Sequence, residues 1–268
     1  MTHARAFAKI NLGLVVGPLR GDGKHEVVTV LQRIDLHDDV TIESAERLAV
    51  EFAGDTIVRT ALTQLARAAG VDPLWRVRIE KRIPVAAGLG GGSADAAAAL
   101  SLANALLPRP LASDALHRVA AEVGADVPFF LTAGAQLGTG VGTELTPVAL
   151  PTAYYVVLLI PQDASKHSTA AVYEAFDARG GAREFARRAQ EFRSALSSVA
   201  STSDLASLPQ NDLASSPFTA RLREAGAFRA DVTGAGPAVY GLFESADGAR
   251  RAAEALEGHG ETFATRPI

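Results

Sequence analysis

Pro84-Val85-Ala86-Ala87-Gly88-Leu89-Gly90-Gly91-Gly92-Ser93-Ala94-Asp95 runs straight into an alanine-rich stretch that reads as a helix, roughly Ala94 to Leu107, stopped by Pro108 and Pro110. Four glycines within the five positions 88–92 let the backbone come close to a ligand and turn successive N–H groups toward one point. The helix behind them adds its free N-terminal N–H groups and the positive end of its dipole. Together these describe a phosphate cradle. It is not a Walker A loop, because no Gly-Lys-Ser/Thr follows, and it fails the dinucleotide fingerprint, because position 93 is Ser rather than Gly or Ala. The plainer reading of the same residues is a flexible turn with Ser93 as N-cap.

Outward from the loop, Trp75, Val77 and Ile79 alternate with Arg76, Arg78 and Glu80, the period of a half-buried strand. A helix is expected from Ile57 to Ala69, with Leu62, Leu65, Ala66 and Ala69 on one face and Gly70 at its C′ position. Strands are read at Phe7–Leu14, Val27–Leu36, Val40–Glu43 and Leu48–Phe52. Ser113 is read as the cap of a helix closed by Gly124. In the second half, strand Tyr155–Ile160 precedes helical patterns at Ala170–Phe176, Glu184–Leu196 and Phe218–Ala225. Strands Ala230–Thr233 and Val239–Phe243, helix Gly248–Leu256 and strand Glu261–Thr265 follow. With the middle helices counted as one crossover, the order is β-α-β-β-α-β, the split arrangement of ferredoxin-like domains. Ser194–Ser207 reads as a solvated loop or frayed helix end. The expected domains are 1–152 and 153–268, in an α+β chain.

The 268 residues are 48% hydrophobic and 21% charged, enough apolar material for folded cores. Lysine and arginine number 26 against 30 acids, so no excess of cations is present to neutralise a nucleic acid. Cysteine is absent, which excludes disulfides, thiol nucleophiles and cysteine-ligated zinc. The six histidines are scattered, with no pair at metal-ligand spacing. No apolar run approaches the ~20 residues of a membrane span, and no leader is evident at the N-terminus. The expectation is a soluble cytoplasmic protein.

Other residues carry weaker signals. Lys9 and Asn11 lie two apart on a strand and share a face with Phe7, Gly13 and Val15, poor company for a wet surface. Either that face is simply solvated, or the cation and the amide belong to a site. Asp126 precedes Pro128 at the start of a short helix, where a carboxylate can cap. Gly234-Ala235-Gly236-Pro237 is a second tight glycine loop, or a plain hairpin turn. His25 follows Asp22-Gly23-Lys24 at a strand start.

Their order in the chain resembles the three motifs of the GHMP kinases. Ala8-Lys9-Ile10-Asn11-Leu12 is similar to the first, the Pro84–Ala94 loop to the second, and Val232-Thr233-Gly234-Ala235-Gly236-Pro237-Ala238 to the third. Finer segments resemble the branch that phosphorylates the erythritol part of a cytidine diphosphate conjugate. They are Asp22-Gly23-x-His25, Asp55-Thr56-Ile57-Val58-Arg59, Glu80–Pro84, Gly124–Pro128, Ser168-Thr169-x-x-Val172-Tyr173 and Asn211-Asp212-Leu213. Lys24 stands where the family usually has Tyr, Ala94 where a second serine is common, and Ala235 between the glycines of the third motif.

The resemblance implies an ATP- and Mg²⁺-dependent phosphotransferase with a ribosomal protein S5 domain 2-like N-terminal domain and a ferredoxin-like C-terminal domain. It implies that Pro84, Val85, Ala86, Ala87, Gly88, Leu89, Gly90, Gly91, Gly92, Ser93, Ala94 and Gly234 bind ATP, with the glycine loop 88–92 and the helix N-terminus on its phosphates. Ser93 would add a hydroxyl to phosphate or Mg²⁺. Ile57, Val58, Lys81 and Leu89 would line the adenine pocket. Asp126 would accept or orient the substrate hydroxyl proton, with Lys9 neutralising charge beside it. Asn11 would bond the substrate's polar chain, and His25, Thr169 and Tyr173 its cytidine end. Homoserine and mevalonate kinases are the alternatives within the superfamily, and a catalytically silent nucleotide-binding regulator is the alternative outside it.

Overall fold

A computed structural model describes residues 2–52, 57–162 and 168–268. Asp55 and Thr56 of one motif segment lie outside the described residues. Two long strands open the chain, β1 (Thr2–Leu19) and β2 (His25–Ser44). Each contributes residues to both of two compact units, one formed by residues 1–8, 36–85 and 90–133, the other by 9–35, 86–89 and 134–268. These units are discontinuous in sequence, whereas the reading by composition divides the chain near residue 152.

The first unit holds β3 (Ala49–Glu51), helix α1 (Ile57–Ala69), β4 (Trp75–Glu80), α2 (Gly91–Leu106), α3 (Ser113–Val123) and the single turn α4 (Val127–Phe130). The C-terminal part of β2, Asp39–Ser44, pairs antiparallel with β4, and β3 pairs parallel with β4. Trp75, Val77 and Ile79 point into the core while Arg76, Arg78 and Glu80 face out, as their alternation requires. α1 buries Val58, Ala61, Leu62, Leu65 and Ala66, and Gly70 adopts the left-handed φ of 67° beyond its end. Truncating Leu62 or Leu65, both without exposed surface, would cost about 2–5 kcal/mol. The alanines of α2, including Ala96, Ala97, Ala99 and Ala103, are buried and allow close packing against α1.

The second unit contains β5 (Ala135–Thr139) and β6 (Glu144–Val148), an antiparallel pair whose first strand also pairs with β2 at Thr29–Leu31. It continues through β7 (Tyr155–Pro161), α5 (Thr169–Ala178), α6 (Phe185–Ser197), α7 (Phe218–Glu224), β8 (Arg229–Val232), β9 (Val239–Phe243), α8 (Ala246–Leu256) and β10 (Gly260–Thr265). The strands β10-β7-β9-β8 form one antiparallel sheet. With β7 counted first, that is the order 4-1-3-2 of the ferredoxin-like arrangement. Val157, Leu159, Val232, Val239 and Phe243 from this sheet close on Ala249, Ala252 and Leu256 of α8.

Four local expectations need correction. The strands read separately at 27–36 and 40–43 are one, β2, because the acids between them are satisfied by tertiary partners: Asp38 accepts the backbone N–H groups of Arg82 and Ile83. α2 starts at Gly91, with left-handed Gly90 at its N-cap position, so Ser93 lies within the first turn and does not cap it. Ser113 is the first residue of α3, following Ala112 in an extended conformation. The serine-rich segment is ordered: α6 reaches Ser197, and residues Thr202–Ser207 form a 3₁₀ turn closed by a capping box between Ser201 and Asp204. The β5–β6 pair escaped the sequence reading because Gly138, Gly140, Gly142 and Pro147 break its alternation.

Candidate active site

In the second unit the three motif segments meet. β1 presents Lys9 and Asn11, only 3% and 5% exposed, so their shared face is not solvated. Ile10 and Leu12, on the opposite face, are fully buried as well. The Lys9 ammonium donates to Asn11 Oδ1 at 2.6 Å. The Lys9 backbone N–H donates to Leu89 O at 3.0 Å, joining the first segment to the glycine loop. The third segment joins both. Thr233 Oγ1 accepts the Asn11 backbone N–H at 3.1 Å and lies 3.3 Å from Gly88 O, and Ala238 N–H donates to Ala87 O. Lys9 Nζ lies 3.5 Å from where a Cβ on Gly234 would stand.

This convergence explains Gly88. Its φ is +84°, and a Cβ there would sit 2.3 Å from the Thr233 carbonyl oxygen. Asn211, quoted above without a role, holds the third segment from behind. Its Nδ2 donates to Val232 O and Gly234 O, at 2.9 and 2.7 Å. Thr29 was also missed, although a polar residue inside the apolar run Val27-Val28-Thr29-Val30-Leu31 is a usable signal. It receives Asn11 Nδ2–H at 2.8 Å.

His25 is buried, and its ring stacks on Tyr173 with centroids 4.7 Å apart. His25 Nε2 lies 2.9 Å from Asp177 Oδ1. Tyr173 and Asp177 are four apart on α5 and so share a face. That spacing was available in the sequence. Thr169 is the exposed first residue of α5, behind the Ser168 cap, and Lys24 is exposed.

In the first unit, the N–H groups of Gly91, Gly92 and Ser93 precede the first intrahelical bond of α2, from Ala94 N–H to Gly90 O. No acidic residue stands in that first turn and no side chain caps it, so its N–H groups and the positive end of its dipole can receive an anion. Gly91 has its own reason: a Cβ would meet Ile83 Cγ2 at 2.9 Å. Ser93 is half-buried, Ala94 buried, Pro84 half-buried and Val85 exposed. Ala86 takes a left-handed φ of 57°, unusual for a residue with a side chain.

Lys81, expected at the adenine pocket, has its ammonium shared by Asp38 Oδ2 at 2.5 Å and Asp95 Oδ2 at 2.7 Å. Burial by itself would lower the Lys81 pKa, but the two carboxylates outweigh it and raise it. Burial pushes the Asp95 carboxyl up to about 7, against the pull of Lys81 and with the repulsion of Asp38. The other oxygen of Asp95, Oδ1, is buried without a hydrogen-bond partner. The Val58 side chain has no exposed surface and belongs to the core, so it offers nothing to a ligand. Helical periodicity turns Val58 inward, while half-buried Ile57 lies 3.5 Å from the Cβ position of Gly92. Asp126 occupies the N-cap position of α4, where its side chain makes no capping hydrogen bond. Among the described residues, no group of three or more His, Cys, Asp or Glu could hold a metal ion.

The chain matches the family model of the GHMP kinases N terminal domain over residues 55–134 and that of the GHMP kinases C terminal over residues 217–262. A 4-diphosphocytidyl-2-C-methyl-D-erythritol kinase of Chlorobium phaeobacteroides (strain BS1) is 34% identical over 98% of this chain and 96% of its own. The protein of the same name from Nocardia farcinica (strain IFM 10152) is 38% identical over 98% and 91%. A crystal structure of 4-(cytidine 5'-diphospho)-2C-methyl-D-erythritol kinase covers 99% of both chains with TM-score 0.79 at 32% identity. A mevalonate kinase matches with TM-score 0.76 but 14% identity, a likeness of fold alone.

Proposed function

This chain belongs to the GHMP kinases, within them to the 4-diphosphocytidyl-2-C-methyl-D-erythritol kinases, and from that premise we propose how its residues perform the reaction. The reaction is ATP-dependent phosphorylation of the 2-hydroxyl of 4-diphosphocytidyl-2-C-methyl-D-erythritol, giving the 2-phosphate and ADP, in the non-mevalonate isoprenoid pathway. The hydroxyl oxygen forms a bond to the γ-phosphorus, the bond to the β–γ bridging oxygen breaks, and the hydroxyl proton leaves. Such transfer needs positioning and charge stabilisation more than covalent help.

One observation supports this reading above the others: Lys9, the loop residues Gly88–Leu89 and Thr233–Gly234 converge on one point from three distant parts of the sequence. A buried ammonium there would stabilise charge on the transferring group more strongly than in water. The loop 84–94 and the N–H groups at the start of α2 would hold the ATP phosphates, and half-buried Ile57 would border the adenine, while the Leu89 side chain, 1% exposed, is as buried as that of Val58. Asp126 would take the hydroxyl proton or orient it. A primary amide carries two hydrogens, and Asn11, with one committed to Thr29, would offer the other to the substrate. His25 and Tyr173, already stacked, would present an aromatic platform to cytosine, with Thr169 beside it. Mg²⁺ would be bound largely through the phosphates and water, with Ser93 as the protein hydroxyl, which suits an ion that keeps several waters. It would neutralise charge on those phosphates.

No helix among the described residues is long and apolar enough to cross a membrane. The reading is of a cytoplasmic enzyme, a monomer or homodimer, with a small-molecule substrate and no nucleic acid. The test is a coupled ADP-release assay on the cytidine diphosphate conjugate, homoserine and mevalonate. Turnover of the conjugate alone is expected; robust turnover of either other alcohol without it would overturn the assignment.

A further inference from the structure

The geometry points to Thr29 as a positioning residue that acts through Asn11 to hold the Lys9 ammonium, an inference that rests on the role proposed for Lys9. The Thr29 hydroxyl lies 2.8 Å from the carbonyl oxygen of Gly13, which can only accept, so the single hydroxyl hydrogen is committed there. Its oxygen is then left only as an acceptor toward Asn11, 2.8 Å away, and the atom facing it must be the amide nitrogen. That choice sends the amide oxygen of Asn11 the other way, to Lys9 Nζ at 2.6 Å and toward Thr233 Oγ1 at 3.3 Å.

The reverse orientation of the amide would set its N–H donors against an ammonium and its oxygen against a hydroxyl oxygen with no hydrogen to give. Thr29, Asn11, Lys9 and Thr233 are each at least nine-tenths buried, so water cannot easily replace a lost partner. Thr233 adds a second constraint by accepting the Asn11 backbone N–H, which fixes the main chain from which the amide extends. A polar relay therefore runs from the Gly13 carbonyl through Thr29 and Asn11 to the cation. Its effect is to hold Lys9 at one position while its charge demand changes during transfer.

Thr29→Val, which exchanges the hydroxyl for a methyl of similar size, separates hydrogen bonding from packing. It is expected to lower kcat about 10- to 50-fold while the KM for ATP stays within about twofold, because a misplaced ammonium weakens the transition state more than the ground state. Thr29→Ser, which keeps the hydroxyl, should restore most of kcat. In a Lys9→Ala background, single-turnover rates at saturating substrate with and without Thr29→Val should agree within about twofold, since the other output of the relay, the Asn11 bond to the substrate, acts on binding. If Thr29→Val keeps full kcat while Lys9→Ala loses it, the relay is wrong and the role of Lys9 stands. If Lys9→Ala keeps full kcat, both fall. An equal loss from Thr29→Val in the presence and absence of Lys9 would also overturn the relay. Should Thr29→Val fail to fold, the Thr29→Ala and Thr29→Ser pair carries the same comparison.

Discussion

Asp95→Asn should change how stability depends on pH. Asp95 has no exposed surface; one of its oxygens receives Lys81 and the other has no partner. Burial, opposed by Lys81 and reinforced by Asp38, raises its pKa from 3.8 to about 7. The folded state therefore holds a proton that the unfolded chain has released, and stability falls as pH rises between these two values. The contribution is fully present below 3.8 and lost above about 7. The slope within the window is about 1.4 kcal/mol per pH unit. Asparagine copies the protonated acid, with an N–H₂ in place of the O–H and an oxygen still available to Lys81. From about pH 5 to pH 8, wild type should thus lose about 2–3 kcal/mol relative to Asp95→Asn. Urea unfolding followed through Trp75, the only tryptophan and part of the same core, measures this directly. A difference between the two proteins that stays flat across the range would refute the reasoning, since it would mean that Lys81 and Asp38 leave the buried carboxylate fully charged at no net cost.

Asp126→Asn and Lys9→Ala should each lower kcat by roughly 10²–10⁴ with little change in the KM for ATP; a folded variant with near-full kcat would return that residue to a structural role. Tyr173→Ala removes the ring stacked 4.7 Å from His25 and should raise the KM for the cytidine substrate roughly 5- to 150-fold, while Tyr173→Phe should be nearly silent. Lys24→Tyr should leave that KM unchanged or lower it if stacking governs the site, and a large rise would assign a charge-specific role to Lys24. Gly88→Ala should cost at least about 1–2 kcal/mol from its left-handed backbone alone and abolish ATP binding by calorimetry, since its Cβ would strike the Thr233 carbonyl. Wild-type ATP affinity in that variant would show that loop 86–89 can close differently.

Local pattern was enough for elements whose apolar residues repeat at one period. α1, β4 and β9 lie within a residue of their expected limits because α1 and β4 each bury one regular stripe or face, and β9, buried along its whole length, is a short apolar run. The ferredoxin-like order was legible because four short strands, two of them continuous apolar runs, are separated by helical patterns or a tight turn. The candidate site was legible as composition, in Lys9, Asn11, the glycine loop and Gly234-Ala235-Gly236, since close backbone approach and buried charge demand unusual residues.

Contacts across long separations were not legible. Nothing local to Leu36-His37-Asp38-Asp39 says that β2 continues through it; the N–H groups of Arg82 and Ile83, more than forty residues on, decide that. Nor does any local pattern show that Ile57 reaches Gly92, or that Lys81 is held by two carboxylates instead of standing ready for a base. The orientation of the Asn11 amide depends on one hydroxyl on a neighbouring strand and one more than two hundred residues away. A sequence states which groups can donate or accept. Only the folded chain, by bringing distant groups within about 3 Å of one another, decides which of them do.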